Sequence, residues 1–324
     1  MAIPKLVLAC ILLFVLQQAN SQSLKTNFYQ KTCPPLESVV QATTARYISR
    51  VPSLAAALLR MHFHDCFVRG CDGSVLISST SNNTAERDSI PNLSLRGFQV
   101  IDAVKSAVER QCPGQVSCAD ILALVARDAV SLINGPSWPV PLGRRDGRVS
   151  NATEALFGLP PPFFNATQLI AAFASKNLTI KDLVVLSGGG HTIGFSQCST
   201  ITTRLYNFTG VGDSDPSMDP NYVAALKRKC SPTDKTSIIQ MDPGSSQFFD
   251  VNYYATVEKR RGLFQSDAAL LTNNETNAYV RKHSTSSATS SFFKDFATSM
   301  VKMGNIQVLT GSAGEIRRIC SAIN

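Results

Sequence analysis

The chain has 324 residues, 44% of them hydrophobic and 17% charged. That mixture excludes a disordered, collagenous or low-complexity protein, and the length suffices for one large core or two packed lobes. The formal charge is +8, but Lys and Arg are scattered and run together only briefly, at 227–229 and 259–261, so nucleic acid is not an expected partner.

Residues 1–22 read as a secretory signal peptide. Lys5 precedes an apolar stretch at 6–16, and Ala19-Asn20-Ser21 supplies the small and polar residues of a cleavage region, with the cut after Ser21 or Ser23. The stretch is shorter than the roughly 20 residues a membrane helix needs, so no membrane span is expected. Losing this segment removes Cys10 and reduces nine cysteines to eight, an even number that points to disulfides in a secreted chain. Spacing suggests one pair only, Cys66 with Cys71. Asn-x-Ser/Thr sequons at Asn82, Asn92, Asn151, Asn165, Asn177, Asn207 and Asn274 agree with secretion. The segment 319–324 shows no retention or lipid-anchor signal, and a soluble extracellular protein is expected.

Beyond residue 22 the apolar spacing is helical. Leu36, Val39, Val40, Thr43 and Tyr47 recur at steps of three and four, as do Val100, Val104 and Val108, and 119–132 and 292–303 follow the same rule. Pro and Gly gather at 134–147, 158–162 and 210–220, which predicts long loops. The expected fold is mostly α-helical, with two lobes around a central site.

The segment 54–66, LAAALLRMHFHDC, is strongly helix-forming, and on a helix Arg60 and His64 share one face while His62 points almost the opposite way. A guanidinium beside an imidazole disfavours its protonation and keeps it available as a base near neutral pH. The plainer reading of such a pair is a core histidine beside a surface arginine. The following loop shifts the balance. Asp65, Asp72 and Ser74 supply oxygens next to Gly70 and Gly73, a set suited to a hard cation such as calcium, although the spacing is not that of an EF-hand. Farther along, His191 follows a run of three glycines. The surrounding sequence lacks the lysine of a P-loop, the last glycine of a nucleophile elbow and the His-Glu-x-x-His of a zinc protease. One histidine is enough to hold a haem iron.

At this point the chain resembles the secretory plant haem peroxidases of class III over essentially its whole mature length. The resemblance is carried, in order, by RMHFHDCFVRGCDGSVL, TAERD, LRGFQVID, CPGQVSCADILALVARDAV, GPSWPVPLGRRDG, LSGGGHTIGFSQC, FDVNYY, GLFQSDAALL and VKMGNIQVLTGSAGEIRRIC. It implies a two-lobed fold with haem b between the lobes, in a single domain from residue 23 to 324. The implied activity is that of a donor:hydrogen-peroxide oxidoreductase, in which peroxide drives one-electron oxidation of small phenolic or aromatic donors. The protein would be a monomer of the cell wall or apoplast.

Residue by residue, the resemblance makes His191 the axial iron ligand, with Asp267 accepting its other ring N–H and raising its donor strength. On the opposite haem face His64 would move the peroxide proton, Arg60 would stabilise developing charge, Asn92 would hold His64 in its proton-accepting tautomer, and Phe63 would lie against the haem. Two calcium ions are implied. The first would take Asp65, Asp72 and Ser74, the carbonyls of Val68 and Gly70, and Glu86 through water; the second would take Thr192, Asp242, Ser245, Asp250 and the carbonyl of Phe248. Implied disulfides are Cys33–Cys112, Cys66–Cys71, Cys118–Cys320 and Cys198–Cys230. Pro160 would border the haem edge where donors bind.

The chain departs from the family pattern in having three small residues before His191, one residue fewer between Asn92 and Arg96, and Ile90 and Thr200 at positions that are often aromatic. Two competing readings are a basic secreted glycoprotein that binds acidic wall polysaccharide and keeps a vestigial haem site, and a metal-dependent oxidase using His62 with His64. Intact Arg60, His64, Asn92, His191 and Asp267 disfavour the first, and the opposed helical directions of the two histidines disfavour the second.

Overall fold

The computed structural model describes residues 23–324, so the expected signal peptide lies outside the described residues. The described chain is mostly helical. Its first four long helices are α1 (Leu36–Ile48), α2 (Leu54–Val68), α3 (Phe98–Gln111) and α4 (Cys118–Ser131). Helix α4 starts where the Ser117 side chain accepts the Asp120 N–H, a cap that satisfies an end amide. It is buried from Cys118 to Val130 because Ala, Leu, Ile and Val occupy all its faces, and it forms the post against which α1, α2 and α3 pack. Helix α2 is the element that presents Arg60 and His64, as the sequence pattern requires.

Two short helices, α5 (Ala152–Gly158) and α6 (Ala166–Ala174), lead to α7 (Ile180–His191). Helix α7 begins in a capping box between Thr179 and Asp182 and ends on His191. Its course through the glycine run is unbroken. A side chain at Gly188 would strike the Tyr254 hydroxyl, and one at Gly189 the Phe296 ring; a Cβ at Gly190 would meet none of the described residues within 4 Å, and the structure does not explain that glycine. Lys302 and Ser299 of helix α13 (Thr289–Met303) bond Asp182, which locks the start of α7 to the C-terminal part of the chain.

After His191 the chain makes strand β1 (Phe195–Gln197), antiparallel to β2 (Ile238–Gln240) with Ser196 opposite Ile239. This short ribbon brings 241–250 back beside Thr192, through Gly194 N–H to Ser246 O and Met241 N–H to Gly194 O. Between the strands lie α8 (Thr202–Tyr206) and α9 (Pro220–Lys229), the latter capped by Asp219 and opened by Pro220. Helices α10 (Asn252–Glu258), α11 (Gln265–Ala269) and α12 (Asn274–Lys282) complete the surroundings of α7.

Four disulfides, Cys33–Cys112, Cys66–Cys71, Cys118–Cys320 and Cys198–Cys230, fasten this frame, and they are the pairs the resemblance implies. Cys118–Cys320 closes the largest loop and ties the start of α4 to the C-terminal tail. A structural disulfide typically contributes about 2–4 kcal/mol, and this one adds to the buried Arg317 bonds to Asp146 and Gly73 that also hold the tail. Inside, the Arg144–Asp120 pair at 2.7 Å is fully buried, and Asp120 also accepts the Tyr29 hydroxyl and the Gly143 N–H. Satisfied on every side, that charge fixes the loop after α4 rather than destabilising it.

Candidate active site

Helix α2 buries His64 and aims its Nδ1 at Asn92, 2.5 Å from the amide oxygen. An amide oxygen only accepts, so Nδ1 carries the proton and Nε2 keeps its lone pair. Asn92 is itself fixed. It is 1% exposed at the end of the 3₁₀ turn Ile90–Asn92, and its Nδ2 donates to the Glu86 carbonyl at 2.7 Å. The shortened stretch before Arg96 therefore leaves Asn92 in reach of His64. Burial, and next the Arg60 charge, hold His64 well below the usual imidazole range, against an upward pull from Asn92. The result is a neutral base at physiological pH.

Arg60 is clamped, with Nη2 donating to the Pro91 carbonyl at 2.7 Å and Nη1 to the Ser94 hydroxyl at 3.1 Å. Burial and the nearby Arg96 push its pKa down to about 10, which still leaves it charged. Phe63, half-buried, packs on Phe67 with ring centroids 4.1 Å apart. His62 turns to the other side of α2, where burial and then Arg144 lower it to about 3. It approaches Asp65 and Cys66, yet the Cys66 sulfur is spent in the disulfide, so no three-ligand metal group forms there.

The second histidine faces a carboxylate instead of an amide. His191 Nδ1 donates to Asp267 Oδ1 at 2.7 Å. Asp267 is buried, and it also accepts the Tyr253 hydroxyl at 2.8 Å on that oxygen and the Phe264 N–H at 2.7 Å on the other. Burial pushes this carboxyl up, but His191 and these donors outweigh it and hold the group below the usual carboxylate range. An ionised acceptor makes the imidazole a stronger donor through Nε2. Tyr253 and Phe264 meet the His191 ring edge-on, at centroid distances of 6.0 and 5.3 Å. Among the described residues, neither His64 nor His191 hydrogen-bonds through Nε2. Two imidazoles with open Nε2 atoms, one buried against a neutral amide and one backed by a carboxylate, suit the two faces of a haem.

The loop after α2 gathers acids. Asp65 accepts Gly73 N–H and Asp72 accepts Ser74 N–H, both at 3.0 Å, and Gly70 and Gly73 take φ of +100° and +70°, values that only glycine adopts without strain. The Val68 carbonyl accepts Lys176 Nζ at 3.1 Å, and the Gly70 carbonyl accepts Asp72 N–H at 2.8 Å. The Ser74 hydroxyl and both Glu86 carboxylate oxygens are buried without a hydrogen-bond partner. Burial, then the adjacent Asp65, pushes Glu86 up to about 9, and burial followed by Asp72 raises Asp65 well above its ordinary range. Clustered acids with buried oxygens that lack a hydrogen-bond partner form a donor set that a hard cation would satisfy.

A second group forms beside His191. Thr192 Oγ1 donates to Asp250 Oδ1 at 3.2 Å, and the Ser245 hydroxyl bonds the other oxygen of Asp250. Asp242 Oδ1 accepts Asn252 and Thr256, whereas its Oδ2 is buried and unpartnered, and burial moves this acid up to about 7. Phe248 is exposed on the same turn. Pro160 lies half-buried near Phe163, which is 65% exposed, and Ile90 is 74% exposed. Phe163 keeps one aromatic neighbour, Phe164 at 6.1 Å.

Sequence reasoning did not find Tyr253 as a second donor to Asp267, nor the Glu86 carbonyl as the anchor of Asn92. Tyr253 stands inside the FDVNYY segment, but its partner is 14 residues away and no local spacing marks it.

A mostly helical frame holding two such histidines, one backed by an amide and one by a carboxylate, defines a haem peroxidase. Residues 39–286 match the family model described as Peroxidase. The chain is 58% identical to Peroxidase 27 of Arabidopsis thaliana over 99% of this chain and 98% of that relative. It is 56% identical to Peroxidase 1 of Oryza sativa subsp. japonica over 100% of both chains, and 60% identical to Peroxidase 3 of Arabidopsis thaliana over 93% and 92%. The chain belongs to the peroxidase family, in its plant class III branch. No helix among the described residues is long and apolar enough to cross a membrane.

Proposed function

We propose that the protein binds haem b through His191 Nε2 and uses hydrogen peroxide to oxidise phenolic donors in one-electron steps. The observation that supports this most is the contrast at the two Nδ1 atoms, a neutral amide at His64 and a buried carboxylate at His191. When bound, haem would supply the redox chemistry that couples peroxide reduction to donor oxidation. His64 Nε2 removes the proton from one peroxide oxygen and returns it to the departing one, a transfer that needs a base neutral at the start. Burial, and next the Arg60 charge, keep His64 neutral, and Arg60 opposes the negative charge that grows on the departing oxygen. Asn92 keeps the imidazole from turning or changing tautomer, and Asp267 does the same for His191. Phe63 covers the face of the site, and donors reach its edge beside Pro160.

Two calcium ions fit the oxygen sets. Ser74, Glu86 and Asp242 offer buried oxygens that nothing else satisfies, and Asp65, Asp72, Thr192, Ser245 and Asp250 supply the remaining side-chain donors, with the carbonyls of Val68, Gly70 and Phe248. Asp65 follows His64 and Thr192 follows His191 directly, so each ion would steady one histidine. The mature protein is a secreted monomer forming one domain with a lobe on each side of the haem. His64→Ala tests the assignment. It should retain fold and haem absorption while peroxide reactivity falls about 10²–10⁴-fold, the usual contribution of a general acid–base group; an unchanged rate would remove His64 from its role.

A further inference from the structure

Three tyrosines form an unbroken path from the His191 side of the site to the molecular surface. Tyr253 begins it, with its hydroxyl on Asp267 Oδ1 at 2.8 Å and its ring edge-on to His191. Tyr254 is next, fully buried, with ring centroids 5.4 Å from Tyr253 and 5.6 Å from Tyr279. Tyr279 ends the path on α12, half-buried and stacked at 3.9 Å on His283. The steps from His191 to Tyr253, Tyr254 and Tyr279, at 6.0, 5.4 and 5.6 Å, fall within ordinary aromatic contact.

The hydroxyl partners distinguish the three rings. Oxidising a tyrosine removes an electron and makes its O–H strongly acidic, so the radical rests where a base can take the proton. Tyr254 donates to the Val184 carbonyl at 3.1 Å, which cannot hold a proton at neutral pH. Tyr253 points at Asp267, whose oxygens are already engaged by His191 and the Phe264 N–H. Tyr279 instead donates to Asp295 Oδ2 at 2.9 Å, a carboxylate whose other oxygen pairs with Lys181, itself half in solvent. Of the three, only Tyr279 donates to a carboxylate oxygen that accepts no other hydrogen bond among the described residues.

We propose that Tyr279 is a second oxidation site, which accepts an oxidising equivalent from the haem along Tyr253 and Tyr254 and passes it to phenolic groups on macromolecules too large to reach the haem edge. This rests on the haem reading of the site. In the step, one electron leaves Tyr279 for the oxidised haem site that peroxide has charged, and the phenolic proton moves to Asp295 Oδ2. A phenol on the macromolecule then gives one electron to the Tyr279 radical and its own proton to solvent, while Asp295 returns the stored proton and Tyr279 is restored. The product is a phenoxyl radical on the macromolecule.

The test uses the haem-loaded protein, hydrogen peroxide, and dextran carrying tethered para-hydroxyphenyl groups, with free para-cresol as the small donor. Tyr279→Phe removes one oxygen without changing shape, and Asp295→Asn removes the proton acceptor together with the exposed ion pair to Lys181. Wild type frozen after peroxide addition should show a tyrosyl radical by electron paramagnetic resonance. Both variants should lose that signal and lose oxidation of the dextran phenols, while para-cresol oxidation stays at the wild-type rate. Retained signal in Tyr279→Phe, or unchanged dextran oxidation in both variants, overturns the proposal. A wild type that reacts with peroxide but forms no tyrosyl radical overturns it alone; a wild type whose absorption does not respond to peroxide overturns the haem reading as well.

Discussion

Asn92→Ala is the most informative substitution in the site. It removes two hydrogen bonds at once, from His64 Nδ1 at 2.5 Å and to the Glu86 carbonyl at 2.7 Å, in a position 1% exposed where water cannot replace them. Each buried polar group stranded in this way costs about 1–3 kcal/mol, so stability should fall by roughly 2–6 kcal/mol. The disulfide frame should keep the protein folded through that loss. The effect on chemistry is separable. His64 remains, but its ring is free to turn and to exchange tautomers, and a displacement of about 1 Å at a catalytic group costs on the order of 10²-fold. The rate of reaction with peroxide, followed by rapid-mixing absorption, should drop by about 10–100-fold, short of the full loss of an acid–base group. Thermal unfolding of the same sample reports the stability. A wild-type peroxide rate would show that Asn92 does not control His64, and an unchanged melting temperature would show that its two hydrogen bonds do not support the fold.

Asn92 should carry no glycan although Asn92-Leu93-Ser94 is a sequon, because a glycosylated asparagine must be exposed; glycopeptide mass spectrometry finding occupancy there contradicts the burial. Chelation should lower activity and melting temperature together, with calcium restoring both and magnesium doing so poorly, since magnesium demands a tighter octahedral shell; elemental analysis should find about two calcium ions per haem. Asp128 gives a pH dependence away from the haem and the calcium sets. Burial raises its carboxyl to about 6 despite the bond from Arg127, and one of its oxygens has no partner. The folded state therefore holds a proton that the unfolded chain releases, and stability falls as pH rises from about 4 to 6. Asp128→Asn should stabilise by up to about 3 kcal/mol at pH 7 and by almost nothing at pH 4; an equal effect at both values would refute the cause.

The parts of the site that sequence spacing reveals are those built within one element. Arg60 and His64 share a helix face, and Cys66 and Cys71 lie on one short loop, so period and proximity suffice. Asn92 and Asp267 reach their histidines across 28 and 76 residues, which no local periodicity encodes; only the ordered motifs of the resemblance point to them. The other three disulfides are illegible for the same reason, since each joins segments brought together by helix packing. In the fold, long amphipathic helices such as α3 and α13 announce themselves, whereas α8 and α11 are too short for a hydrophobic period to develop. The three glycines before His191 leave the register of that segment open in the sequence. The structure closes it through Tyr254 and Phe296, side chains that arrive from α10 and α13 to fill the space beside Gly188 and Gly189.

The central claim is that these residues form a working haem site, and the visible absorption spectrum of the purified protein before and after one equivalent of hydrogen peroxide tests it most directly. A strong Soret band that shifts on peroxide addition and returns when a phenol is supplied is the predicted result. A protein with no Soret band, or with one that peroxide leaves unchanged, would contradict the roles of His191 as iron ligand and His64 as proton carrier.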